Sequence, residues 1–509
     1  MSTAILPPSV DYSDRDFESL RARIFNLIQS VYPNWTDDAV ANFGNILMEG
    51  FCFVGDVLNF YQDQQAREGR IATVQFRKNM IAITKLLNYT LPGAAAATAD
   101  VLLTISNPEQ LTGVVVPSRT PVIIGTKAIS NPIRGEIQDS ILFDLSQGET
   151  SKEFSWQHSI TQDPFVVASS GKADQRILMP FGPFLPGTDS VSTETQPTWT
   201  RVGTFLNSGP NDLHYIVQVD QNERAEFKFG DGKRGAIPVG NTTMNYKTGG
   251  GITGNVEKEA LSKIEGSFID SEGNPAYLTA VNLSAAEGGT PRQTVEGARV
   301  FAPESTRVQT RTVAREDYEI NAKRVNGVGR ALYLTSDQEP SIQENRGKLF
   351  IIPMTGGVPS QQLLDAVTTM CSITYPNTVT HQFETLAAVY KVINVKAVVY
   401  LKKNQIPSTV KAAIISALED FFEPMNADQT PNENVDFGWY YRDENDNPAG
   451  EVAWSDIFNV VRDLTQYIRK IDPGLCTLND LVGDVSFSNW LFPALGEVTV
   501  INGDTGTEI

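Results

Sequence analysis

Three cysteines in 509 residues, at Cys52, Cys371 and Cys476, are too few and too scattered for a disulfide framework, and none forms the C-x-x-C pair of a zinc ribbon. They are expected to act as small buried apolar groups. Imidazoles are equally scarce: His158, His214 and His381 are the three in the chain, and none stands in a metal-ligand or nucleophile setting. The opening Met-Ser-Thr-Ala-Ile-Leu-Pro-Pro lacks the basic and apolar regions of a signal peptide. The most apolar stretch, 46–58, is broken by Glu49 and Asp56 and is short of the roughly 20 residues that cross a bilayer. Basic clusters are missing as well. A formal net charge of −19 repels phosphate backbones, and no Lys/Arg patch with interleaved aromatics offsets it. Nucleic acid, membrane insertion, a metal and a cofactor are therefore not expected, nor is an enzyme. A glycosidase-type carboxylate pair stays open on counting alone, because such pairs are defined in space.

What is present reads as an α+β multidomain protein: an N-terminal helical region over 1–92, a central β-rich domain over 93–290, a mixed α/β domain over 291–385 and a C-terminal α+β domain over 386–509. Ser13, with Asp16 three residues on, predicts a helix N-terminus, followed by Phe17, Leu20, Ile24, Leu27 and Val31 on one face until Pro33. Thr36, Asp37 and Asp38 cap a second helix reaching about Arg67, with Val40, Phe43, Leu47, Phe51, Val54, Leu58 and Tyr61 as its apolar positions. Gly44, Gly50 and Gly55 weaken it unless a neighbouring helix approaches closely. A third helix is expected over 74–88. Thereafter short β-rich runs such as Val101-Leu102-Leu103-Thr104-Ile105 dominate. The stretch 169–197 is dense in Gly, Pro, Ser and Thr and reads as a loop or inserted excursion. Later, Val389 to Leu401 alternates as a strand, a helix follows Pro407, and a last helix carries Ile457, Val460, Val461, Leu464 and Ile468.

Gly230-Asp231-Gly232-Lys233-Arg234-Gly235 satisfies the G-x-G-x-x-G expression of a dinucleotide loop. A phosphate cradle must open a helix, whereas Ala236-Ile237-Pro238 follows here, so the residues are expected to form a hairpin turn with positive φ. Gly249-Gly250-Gly251 is expected to mark a bend or a backbone that another segment approaches closely.

Several runs in a fixed order carry a resemblance. Phe43-Gly44-Asn45-Ile46-Leu47-Met48-Glu49, Asp56 to Asp63 with Glu68, and Arg77 with Asn79 come first. Phe229-Gly230-Asp231-Gly232 with Gly235, then Gly249-Gly250-Gly251 and Gly254-Asn255-Val256, follow. Glu287-Gly288-Gly289-Thr290-Pro291, Ala298-Arg299, Arg315-Glu316-Asp317-Tyr318-Glu319, Arg330-Ala331 and Leu495-Gly496-Glu497-Val498 complete the set. Together they resemble the baseplate J-like proteins, over nearly the whole chain apart from 169–197.

The resemblance implies a structural subunit of the baseplate wedge of a contractile tail. Such a subunit assembles with a second copy of itself and smaller wedge proteins, and the wedges join into a sixfold plate around a hub. Sheath-initiating, hub and fibre proteins are further implied neighbours. The location implied is the tail baseplate of a virion, after assembly in the bacterial host cytoplasm, and the plate relays the change that triggers sheath contraction. Phe43, Leu47, Phe51, Val54 and Leu58 are expected to face partner helices at least in part, the alternative being burial inside their own domain. A receptor-binding or polysaccharide-degrading tail spike is the rival reading; it would show the repeated short strands of a β-helix, which the sequence lacks.

Overall fold

Apolar residues three and four apart build the first helices, and the chain then changes to alternating strands. The computed structural model describes residues 16–35, 42–87, 89–124, 133–196, 198–308, 311–442 and 447–509. Two compact units result, one of Met1–Leu91 with Thr294–Thr306, the other of Pro92–Gln293 with Arg307–Ile509.

The first unit contains α1 (Phe17–Val31), α2 (Phe43–Glu68), α3 (Arg77–Leu86) and α4 (Val295–Ser305). The expected caps Ser13, Thr36, Asp37 and Asp38, together with Val40 and Asn88, lie outside the described residues. Instead α1 follows Asp16, and α2 follows Asn42, whose side chain accepts from the Gly44 N–H at 2.9 Å. Helix α3 starts three residues later than expected because Glu68 intervenes. Its carboxylate accepts from the Gln75 and Phe76 N–H groups at 3.0 and 3.2 Å and from Asn79 Nδ2 at 2.8 Å. Helix α4 packs with α3 rather than opening the next domain, as the boundary at 291 had placed it. Its Arg299 donates from Nε to Ile71 O at 3.2 Å and from Nη2 to Val74 O at 2.8 Å. The Glu68, Asn79 and Arg299 of the sequence motifs thus fix one turn between α2 and α3.

In the second unit, Pro92–Gln293 holds a six-stranded antiparallel sheet in the order Leu261–Ile264, Pro121–Ile124, Arg134–Ile137, Ser151–Gln157, Thr98–Ile105, Leu278–Asn282. Val101, Leu103 and Ile105 alternate inward onto a core with Val122 and Trp156. A turn beside this sheet is held by Asp270. One carboxylate oxygen accepts from the Glu272 and Asn274 N–H groups at 2.9 and 2.8 Å, the other from the Thr112 N–H at 3.3 Å and Asn274 Nδ2 at 3.0 Å. Burial alone would raise this carboxyl, but the donors outweigh it and hold the pKa at about 2. A depressed folded-state pKa stabilises above the unfolded value and is lost as pH falls toward the folded one. Asp270→Asn should therefore lower the urea midpoint at about pH 6, with the gap from the unmodified protein closing between about pH 4 and pH 2. A gap independent of pH would refute this.

A second β body is inserted into the first. The strands Ser159–Thr161 and Lys247–Gly249 pair antiparallel as its neck. Between them, two small sheets enclose a separate core of Phe227, Phe229, Met244 and Tyr246. The 169–197 stretch is part of this body and not a separate excursion: Arg176–Leu178 and Ser190–Thr193 are strands, and Ile177, Met179, Phe184 and Val191 lie in its core. Pro197 lies outside the described residues.

Arg307–Ile509 contains α5 (Arg315–Lys323), α6 (Gln361–Thr369), α7 (Pro407–Phe422) and α8 (Trp454–Asp463). Its central sheet is ordered Val328–Thr335, Arg346–Pro353, Gln382–Ala387. The two-residue period of a strand divides it cleanly. Ala331, Tyr333, Leu349 and Ile351 face Tyr318 of α5 and Val367 of α6, while Leu332, Leu334, Phe350 and Ile352 join a core with α7 and α8. No core boundary therefore falls at 385. Buried Glu319 caps the outer edge, one oxygen accepting from the Tyr333 N–H at 3.0 Å and the other from Tyr440 Oη at 2.6 Å. Val389–Leu401 is a strand, parallel to Leu491–Asn502. Helix α8 ends at Asp463, and Ile468 belongs to a strand paired with Leu401, so Leu464 and Ile468 are not helical as expected.

Candidate partner-binding surface

Helix α2 is apolar on the wrong side for a helix that serves only its own core. Asn45, Met48 and Cys52 are its buried residues, and Gly55 lies on the same side, where a Cβ would come within 3.0 Å of Leu20 Cδ1 on α1. Gly44 likewise leaves room for the Trp35 ring. The close approach expected at these glycines is therefore present, except at Gly50, which faces open space. Arg21 Nε on α1 donates to Glu49 Oε1 at 2.9 Å and ties the two helices together.

On the opposite side Phe43, Leu47, Phe51, Val54 and Leu58 are 52–75% exposed. The structure brings all five expected residues onto one surface. It adds Ile46, Phe53, Phe60 and Tyr61, equally exposed. The first three recur at seven-residue intervals, a signal present in the sequence that the three-and-four spacing alone passed over. At 100° per residue these nine side chains cover about half the helix circumference over five turns. Patches on soluble monomers rarely exceed roughly 300–600 Å², and nine large apolar side chains, at up to 150–250 Å² for each aromatic, surpass that. Helix α2 is 26 residues long, but no helix among the described residues is long and apolar enough to cross a membrane.

The glycine motifs do structural work elsewhere. Asp231 Oδ1 accepts from the Lys233 and Arg234 N–H groups at 2.8 and 2.6 Å, which holds its carboxyl below the usual range, and the Gly232 N–H donates to Gly235 O at 3.0 Å. Gly232 and Gly235 have φ of +79° and +85°, as expected of a tight turn. The hairpin expectation is corrected, because Ala225–Phe229 and the next strand, Asn241–Asn245, lie in different sheets. No helix opens after Gly235 to meet a phosphate.

At the neck of the inserted body the Gly250 N–H donates to His158 O at 3.2 Å and the Gly251 N–H to Ala95 O at 2.9 Å. A Cβ on Gly249 would stand 2.5 Å from His158 O. Gly249→Ala should therefore force the neck strands apart and cost about 1–3 kcal/mol, read as a lower denaturant midpoint; an unchanged midpoint would refute the close approach. Asn255 links two motifs, accepting from the Gly289 N–H at 2.8 Å and donating to Gly289 O at 2.9 Å.

Chemically the imidazoles are placed for packing. His158 is half-buried and stacked on Trp156, and partial desolvation lowers its pKa. Ser208 Oγ lies 2.8 Å from His214 Nδ1 and Asp212 Oδ2 4.0 Å from the same nitrogen. A nucleophile relay needs the serine and the carboxylate on opposite ring nitrogens. Cys52, Cys371 and Cys476 are free and buried, with burial pushing the Cys371 thiol up to about 12. Among the described residues no three His, Cys, Asp or Glu side chains gather as a metal site.

Residues 16–86 match the family model described as bacteriophage baseplate protein, N-terminal domain. The match covers the helices that carry the exposed apolar surface. It supports the baseplate part of the resemblance and does not reach the J-like designation. No curated protein matches the chain. Among solved structures the chain is similar to one in the sixfold-symmetrised cryo-EM structure of the anti-feeding prophage baseplate. The identity is 12%, covering 93% of this chain and 90% of that one, with a TM-score of 0.34. It is also similar to a chain of the type VI secretion system TssK-TssF-TssG baseplate subcomplex. There the identity is 9%, covering 67% of this chain and 96% of that one, with a TM-score of 0.29. Neither score is high enough to bear on the fold.

Proposed function

We propose that the protein is a structural subunit of a contractile-tail baseplate, of the J-like kind, that builds the wedge through α2 and relays a conformational change without a catalytic step. One observation carries the reading: the segment that matches the baseplate N-terminal domain presents an unbroken apolar half-cylinder to solvent. Written as heptads with Leu47, Val54 and Tyr61 at a, the residues Phe43 and Val57 fall at d, Phe51 and Leu58 at e, and Ile46, Phe53 and Phe60 at g. A two-stranded seam needs only a and d, and its e and g positions are charged in water. Apolar residues at all four positions fit a helix flanked by two partner helices at once. A second copy of this chain and a smaller wedge protein supply them, and wedges so formed join into a sixfold plate around a hub on the tail of a virion assembled in the host cytoplasm.

The test is co-expression with the products of neighbouring genes, followed by mass measurement of what is purified. A complex holding more than one helical partner of α2 supports the reading. A stable monomer indifferent to every tail protein overturns it.

A further inference from the structure

Pro92–Gln293 and Arg307–Ile509 share a compact unit but no core. The clusters under the six-stranded sheet and inside the inserted body contain no residue from the second half, and the two clusters around the Val328–Thr335 sheet contain none from the first. No helix or strand of one half packs extensively along an element of the other. The halves meet through loops and element ends, Thr98 opening a strand and Gln362 lying in the first turn of α6. Side-chain hydrogen bonds across the junction include Thr98 Oγ1 to Gln362 Oε1 at 3.0 Å, Asn326 Nδ2 to Gly93 O, and Gln429 Nε2 to Arg292 O at 3.0 Å.

Between the halves lies a cleft of about 400 Å³, with Ala96, Gly288 and Thr290 on one wall and Gly327, Gly357 and Ser360 on the other. Gly288, Gly327 and Gly357 have φ of +86°, +100° and +75°. Thr290 is 2% exposed, yet its hydroxyl has no partner. Separate cores, neutral hydrogen bonds and turns in loops are the makings of a hinge, since rigid bodies move where few contacts resist.

We infer that the two halves are rigid bodies that open and close about this cleft, with the 287–290 and 353–360 segments as its jaws. The inference does not depend on wedge membership, because the motion belongs to the free chain.

Spin labels at Ser284 and Gln361, exposed on opposite halves, measure it by pulsed dipolar spectroscopy in the full chain, with Ser284 and Glu153 as a pair within one half. The native cysteines are buried, and the unsubstituted chain corrects for any residual labelling. The distance distribution across the cleft should be roughly twice as wide as that within one half. A cross-cleft distribution no wider than the internal one overturns the proposal.

Discussion

Leu47→Asp combined with Val54→Asp is expected to leave the free chain folded at an unchanged melting temperature and to release it from the partners that otherwise co-purify with it. The two side chains are 52% and 55% exposed, so each new carboxylate meets water, a change usually within about 0.5 kcal/mol. In a helix seam the outcome reverses. Each position forfeits about 1.5–3 kcal/mol of apolar burial, and an unpaired charge in the seam costs more. Together the pair should exceed about 4 kcal/mol, or roughly a thousandfold in Kd. Quantitative pull-down beside calorimetry of the free chain separates the two effects. Recovery of the same partners in the same amount would remove α2 from the interface.

Arg330→Ala should be the most damaging single truncation in the second unit. The guanidinium is 11% exposed. It donates from Nε to Pro424 O at 3.1 Å, from Nη1 to Asp436 Oδ2 at 3.1 Å, and from Nη2 to Asn432 O and to Val435 O, the latter at 3.2 Å. It thereby holds 424–436 against the edge of the central sheet. Burial pushes the Asp436 carboxyl up, and Arg330 opposes that shift. Truncation leaves the half-buried Asp436 carboxylate with only the Phe437 N–H at 2.8 Å and deprives the Asn432 and Val435 carbonyls of their donor, at a cost of about 3–5 kcal/mol in all. At about 2–4 °C per kcal/mol for a body of this size, the melting temperature falls by roughly 6–20 °C. Arg330→Lys should not rescue it, because an ammonium cannot span acceptors placed around a planar fork. A fall below about 3 °C would show that the network is dispensable.

The N-terminal helices were legible because their apolar residues repeat at helical spacing. Their starting points were not, because a carboxylate eight residues away, on Glu68, satisfies the Phe76 N–H and delays α3. A much longer separation hides α4, which reads as the opening of a new domain until Arg299 is seen to reach Ile71 and Val74, 228 and 225 residues earlier. Periodicity identifies a stripe but not what covers it, so Phe43 through Leu58 could be named from spacing while their exposure could not. The inserted body is not legible in the sequence because strands of three or four residues, such as Arg176–Leu178, are too short to show alternation. The Gly230 turn is legible in conformation but not in connection, since local chemistry sets φ whereas sheet membership depends on residues far along the chain.

The neck of that inserted body has a consequence for how the chain can change. Thr161 and Lys247 face each other across one antiparallel pair, so the chain leaves and returns at nearly the same point. A two-residue turn would close the gap as an ordinary hairpin, and the 162–246 segment could be excised or exchanged as a cassette without asking the six-stranded sheet to shift register. Variation in this body would then need only two exchange points, residues 161 and 247, which lie side by side in the fold though 86 positions apart in the chain, and would leave α1 to α3 untouched.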